Sequence, residues 1–199
     1  FDPCDRRHLQ CRSSVPDRQP RRDPAEHLPD GPAILLSKHQ SAWETLFFPA
    51  YMPRELCFVY KKELHWVPFF GWGLALLRMI PIDRSKGRDA FEQVVRIGQD
   101  RINAGRWPIL FPEGTRSRTG APKKFQTQGL QMLIKKMPEA LVVPITINNS
   151  WKLFRYGHFP LGIGARLHFK VHEPIPANSD DPAAIAAHVE RIITADIIS

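Results

Sequence analysis

Short, uninterrupted apolar runs, separated by stretches with helical periodicity, constrain this chain more than any other feature. Ala33-Ile-Leu-Leu-Ser37, Cys57-Phe-Val-Tyr60, Met79-Ile-Pro-Ile82, Trp107-Pro-Ile-Leu-Phe111 and the segment from Leu141 to Ile147 carry no charge at all. A strand with one wet face alternates apolar with polar residues, so runs this uniform predict strands buried on both faces. Between them, Phe91, Val94, Val95 and Ile102 recur at helical spacing, with Asp89 as the expected cap and Gly105 as the stop. Further helices are expected from about Ser41, from Phe125 to Lys136 and from Pro182 to Ile198, with one more strand from Arg166 to Val171. The alternation predicts one α/β domain whose mainly parallel or mixed central sheet is covered by helices. At 199 residues and 43% hydrophobic content, the chain can bury one sizeable core.

The first two dozen residues follow a different pattern. Arg6, Arg7, Arg12, Arg18, Arg21 and Arg22 are mixed with Asp, Pro, Gln and Ser and show no apolar period. Residues 1–24 therefore read as a disordered tail foreign to the domain, which occupies 25–199. The net charge of +8 favours anionic partners, namely nucleic acid, an acidic membrane surface or a phosphorylated small molecule. Charge alone does not choose among them. Three cysteines, Cys4, Cys11 and Cys57, have no metal-ligand spacing and suggest a reducing compartment without a disulfide framework. The longest uncharged apolar stretch, Trp66 to Leu77, is shorter than the ~20 residues of a bilayer crossing and is broken by Pro68, Gly71 and Gly73.

His39 follows the first buried strand directly, where α/β folds place reactive loops, and Glu44 comes five residues later. On one regular helix that spacing separates side chains by about 140°. If His39 precedes the helix and Glu44 opens it, the carboxylate can hold one imidazole nitrogen while the other takes a proton from a substrate hydroxyl. Ser41-Ala-Trp-Glu44 is equally a capping box, in which Glu44 bonds back to the Ser41 backbone. Both readings stand at this level.

Two further loops carry chemistry. Pro112-Glu-Gly-Thr-Arg-Ser117 offers a close backbone approach at Gly114, hydroxyls at Thr115 and Ser117, and a planar cation at Arg116, which together suit a phosphate. Glu113 fits such a loop only if it holds a cation or bonds a substrate hydroxyl. After Ile80-Pro-Ile82 come Asp83 and Arg84; if the strands are parallel, Arg84 shares the edge of His39 and can act as a second phosphate ligand.

The ordered set His39-Gln-Ser-Ala-Trp-Glu44, Ile80-Pro-Ile-Asp-Arg84, Phe111-Pro-Glu-Gly-Thr-Arg-Ser117 and Val142-Val-Pro-Ile-Thr146 resembles the four blocks of the 1-acyl-sn-glycerol-3-phosphate acyltransferase family, the PlsC-type enzymes. The resemblance implies His39 as general base with Glu44 as its partner, where the usual family residue is Asp. It implies Arg84, Glu113, Gly114, Thr115 and Arg116 as the site for the phosphate and glycerol of lysophosphatidate, and Pro144 as part of the donor site or the pocket wall. The implied reaction moves an acyl group from acyl-CoA or acyl-carrier protein to the sn-2 hydroxyl, giving phosphatidic acid, with no metal and no resident cofactor. Alternatives are a related enzyme acting on glycerol-3-phosphate or another lyso-lipid, and a non-catalytic basic lipid-binding module.

The aromatic stretch from His65 to Leu77 reads either as core or as a tunnel wall or interfacial segment, and Trp151 to Tyr156 suits the latter role. With the basic charge, these features lead us to expect an anionic membrane as partner rather than nucleic acid. The expected location is the cytoplasmic face of the membrane, reached peripherally or through a segment preceding Phe1.

Overall fold

The computed structural model describes residues 27–117, 121, 123–154, 166–178 and 181–197. The tail, Cys4, Cys11 and the end of the Trp151–Tyr156 stretch lie outside them. Each apolar run forms a strand: β1 (Ala33–Ser37), β2 (Leu56–Lys61), β3 (Ile80–Ile82), β4 (Trp107–Leu110) and β5 (Leu141–Asn148). They pair in the order β3-β2-β4-β1-β5, all parallel, so every C-terminal end falls on one edge. β6 (His168–Val171) and the unforeseen two-residue β7 (Ile175–Pro176) add to β5 antiparallel, which makes the sheet mixed.

The uniformity of β1 has its physical reason in the two layers around it. Ile34 and Leu36 pack toward α3 (Arg88–Asn103), α4 (Gln128–Lys136) and α5 (Pro182–Ala195). Ala33 and Leu35 pack on the other face against Phe48 and Met52, at α1 (Glu44–Tyr51) and its end. A smaller cluster joins Cys57, Tyr60 and Ile80 to Leu74 of α2 (Phe70–Leu76).

Helix ends differ from the sequence expectation where the local chemistry offers another start. α3 is preceded by Gly87 at φ 53°, which leaves Asp89 inside the first turn rather than capping it. Its C-terminus is as expected: Gly105, at φ 77°, donates to Ile102 O while Arg106 donates to Arg101 O, the left-handed stop that favours glycine. α4 begins at Gln128, because Phe125 is spent filling the core just before the helix. α5 starts at Pro182, where the Asp181 carboxylate accepts from the Ala183 and Ala184 amides.

Pro144 is buried in β5, paired with Leu36. On its other side β6 pairs from Ile145 onward and β7 up to Val142, so the missing N–H falls at the break between two partners, where proline is tolerated.

Candidate active site

At the C-terminal end of β1 the chain leaves the sheet through Lys38 and His39, turns, and enters α1 with Glu44 as its first helical residue. Because His39 lies on the extended side of that turn, its ring folds back over the helix start. Its Nδ1 meets Glu44 Oε2 at 2.6 Å. Glu44 is fully buried, yet every direction around its carboxylate is used. Oε1 accepts from the Gln40 and Ser41 amides at 2.9 Å each and from Ser150 Oγ at 2.5 Å. The capping and orienting readings are therefore both realised, one on each oxygen, which the four lone-pair sites of a carboxylate allow.

Ser150 is the residue that no local pattern could have disclosed, since it lies 106 positions from Glu44. It enters at the end of β5, after Asn149 at φ 68° reverses the chain, and its amide also donates to Gln40 Oε1 at 3.1 Å. Three neutral donors and an imidazole thus fix one carboxylate. On the other side of the imidazole, Phe111 stacks at a centroid distance of 4.3 Å. With Nδ1 engaged and the ring held between Glu44 and Phe111, Nε2 has no hydrogen-bond partner among the described residues.

The loop after β4 is tied to the same place. Ser117 N–H donates to the His39 carbonyl at 2.8 Å, so Arg116, the exposed neighbour of Ser117, is held beside His39. Lys123 Nζ pins the loop from outside by donating to Thr115 Oγ1 and to the Arg116 carbonyl. Gly114 sits at φ 66°, and a Cβ there would come within 3.1 Å of the Gln126 side chain. Conformation and space both call for glycine.

Among the described residues, Glu113 makes no hydrogen bond to Arg116. It turns inward, and the charge that acts on it most is that of Lys38. Both side chains are buried. Burial pushes the Glu113 carboxyl up from its ordinary range, opposed first by the charge of Lys38 and then by the Lys123 and His39 amides. Burial likewise lowers Lys38, opposed by the charges of Glu113 and Glu44. Oε2 of Glu113 is a buried oxygen with no hydrogen-bond partner among the described residues.

The sequence-predicted residues are thus unequally assembled. His39, Glu44, Glu113, Gly114, Thr115 and Arg116 converge at the ends of β1 and β4. Arg84 follows β3 on the same edge, but three strand spacings separate β3 from β1, roughly 14 Å between backbones. A cavity of about 220 Å³ opens at that far end, lined by Lys62, His65, Asp83 and Lys86 among others, and His39 is not part of its wall. Pro144 lies within the sheet beneath the site. Among the described residues, no nucleophile is poised against His39: Ser41 is buried with its Oγ accepting from Trp43, and burial pushes the Cys57 thiol up to about 12.

A family model described as Acyltransferase matches residues 20–148. A 1-acyl-sn-glycerol-3-phosphate acyltransferase from Pseudomonas aeruginosa is 36% identical over 166 residues, covering 83% of this chain and 63% of that protein. One of the same name from Helicobacter pylori is 30% identical over 124 residues, covering 62% of this chain and 52% of that protein. The chain therefore spans between about half and two thirds of the length of these relatives. The fold is that of the crystal structure of the 1-acyl-sn-glycerophosphate (LPA) acyltransferase PlsC from Thermotoga maritima, with a TM-score of 0.72 at 23% identity over 87% of this chain and 68% of that one.

Proposed function

This chain belongs to the acyltransferase family, and from that premise we propose that it transfers an acyl group from a thioester to the sn-2 hydroxyl of 1-acyl-sn-glycerol-3-phosphate, giving phosphatidic acid. The observation that carries the reading is the 2.6 Å contact between an imidazole at the sheet's C-terminal edge and a fully buried carboxylate.

Nε2 of His39 accepts the hydroxyl proton as the substrate oxygen attacks the thioester carbonyl carbon. Glu44 stabilises the imidazolium that forms. The tetrahedral intermediate collapses, the C–S bond breaks, and the imidazolium proton goes to the departing thiolate. The transfer is direct, because the buried serines are committed to hydrogen bonds and the Cys57 thiol stays protonated. Arg116, tied beside His39 through Ser117, takes the acceptor phosphate, with the loop amides around Gly114 and the Thr115 hydroxyl beside it. Arg84 is the second phosphate ligand of this reading. Glu113 acts through Lys38 to hold the loop against the His39 turn. Pro144 supports the floor of the pocket.

A lysolipid acceptor resides in a membrane, so the protein works at a lipid surface; the net charge of +8 suits an anionic one. Among the described residues, no helix is long and apolar enough to cross a bilayer. The cytoplasmic face, where acyl-CoA and acyl-carrier protein are found, is the proposed location. The test is an acceptor screen with labelled acyl-CoA. Product from lysophosphatidate well above that from glycerol-3-phosphate and lysophosphatidylcholine supports the reading, and a preference for glycerol-3-phosphate contradicts it.

A further inference from the structure

Large apolar side chains are ordinarily buried, and one stretch of this chain reverses the rule. Of ten large hydrophobics standing exposed among the described residues, eight lie between Leu64 and Leu77. Trp66, Phe69 and Leu76 are more than four-fifths exposed, and Trp72 is 59% exposed. Exposed apolar residues scattered singly need no explanation, but a contiguous set does.

The exposure belongs to a fixed element. Leu74 anchors one side of α2 in the cluster with Cys57, Tyr60 and Ile80, and the Tyr60 hydroxyl meets His65 Nδ1 at 3.0 Å. Gly71 lies flat on the short helix Lys62–Trp66, where an added Cβ would stand 2.0 Å from the His65 carbonyl oxygen. With that side docked, Phe69, Trp72 and Leu76 fall at i, i+3 and i+7 along the opposite face. Phe69 is held at φ 61°, and its ring packs edge-on to Trp72 at 5.3 Å.

The register fixes where this stripe sits. β3 starts with Ile80 opposite Val59, only two residues before the end of β2 at Lys61. Both ends of the crossover therefore lie at, or within roughly 7 Å of, the C-terminal edge that carries His39. Lys61, Lys62, Arg78 and Lys86 flank it and are exposed, against the two carboxylates Glu63 and Asp83, the second of which is paired with Lys62. Indoles and aliphatics bordered by cations match the chemistry of a bilayer interface with anionic headgroups, which supplies apolar depth and negative charge together.

We propose that the Lys62–Leu77 crossover docks this protein on an anionic lipid bilayer, with the Phe69–Trp72–Leu76 stripe entering the interface and the His39 edge of the sheet turned toward the lipid. This rests on the reading of the acceptor as a lysolipid and adds which surface meets it. The acceptor's acyl chain then stays in the leaflet while its glycerol phosphate rises to the imidazole.

The test combines Phe69→Asn, Trp72→Gln and Leu76→Gln in one variant, since Asn is enriched at positive φ and is a good N-cap, the position that 69 holds before α2, and Gln is a good helix former. Flotation uses vesicles of phosphatidylglycerol and phosphatidylcholine. The wild type should float, and the variant's partition should fall by about a hundredfold. Thioester release on a water-soluble short-chain lysophosphatidate should be unchanged, while turnover of a long-chain acceptor embedded in vesicles should fall with binding. Lipids brominated on their acyl chains should quench tryptophan emission of the unaltered protein. A variant that floats like the wild type, or absence of quenching in the bound wild type, overturns the proposal. So does a wild-type dimer that the substitutions dissolve without affecting flotation, because a second copy would then cover the stripe. If neither protein turns over any acceptor, the acyltransferase reading fails, and flotation still decides the docking face.

Discussion

Two regions on one edge of the sheet depart from ordinary burial in opposite directions. Around the end of β1, the ionisable side chains of Lys38, Glu44 and Glu113 are buried; in the β2–β3 crossover, tryptophans, phenylalanines and leucines are in the open. The first departure is expensive per group and depends on geometry, since a buried charge is tolerable only when partners surround it. Glu44 meets that condition with four donors, whereas Glu113 has the Lys123 amide and the charge of Lys38 while its Oε2 has no hydrogen-bond partner among the described residues. The second departure forfeits about 1.5–3 kcal/mol of burial per side chain but asks little of any one of them. Single substitutions should therefore be severe in the first region and mild in the second, except where the crossover's own backbone is at stake.

Lys38→Met is the strongest way to sharpen that contrast. Removing a buried cation whose charge acts on Glu113 and Glu44 leaves both carboxylates less compensated, and stability should fall by about 3–5 kcal/mol, readable by denaturant unfolding. The direction with pH also follows. Burial holds the Glu113 carboxyl above its ordinary range, so the folded state keeps that proton longer than the unfolded chain and stability falls as pH rises through the carboxylate range. Glu113→Gln should remove that part of the slope in denaturant unfolding, and an unchanged slope would break the scheme.

Gly71→Ala tests the exception in the crossover. Its methyl group would collide with the His65 backbone rather than with a side chain able to move, so we expect about 3 kcal/mol of destabilisation, together with loss of vesicle binding. A neutral result would mean that the crossover is not held as described. Ser150→Ala is the smallest perturbation. It removes one donor from a buried carboxylate that keeps three others, which should lower stability by about 1 kcal/mol and kcat by about tenfold with KM little changed.

Legibility in the sequence divides along physical lines. The parallel strands could be read because continuous apolar runs have no other economical home, and parallel pairing then brought the loops after β1, β3 and β4 to one edge. Helix starts were blurred wherever a residue served as loop or core instead: Gly87 rather than Asp89 precedes α3, and Phe125 fills the core ahead of α4. His39 and Glu44 were visible as a local pattern. Lys38 was not, because a lysine between a strand and a turn looks like a solvated charge until tertiary packing buries it within the field of Glu113, far along the chain. Ser150 joins by tertiary contact alone. The crossover was ambiguous for another reason: an uncharged aromatic stretch reads alike as core or interface, and only the register of β3 and the tight seat of Gly71 turn its face outward.

The most direct measurement is thioester release from acyl-CoA in the presence of lysophosphatidate, comparing the wild type with His39→Ala and Glu44→Gln. If an imidazole oriented by a buried carboxylate activates the acceptor hydroxyl, His39→Ala should lose about 10²–10⁴ in kcat/KM. Glu44→Gln should fall almost as far while keeping its fold, because the amide can still cap α1 but carries no charge to stabilise an imidazolium. Turnover in either variant close to that of the wild type would contradict the assignment.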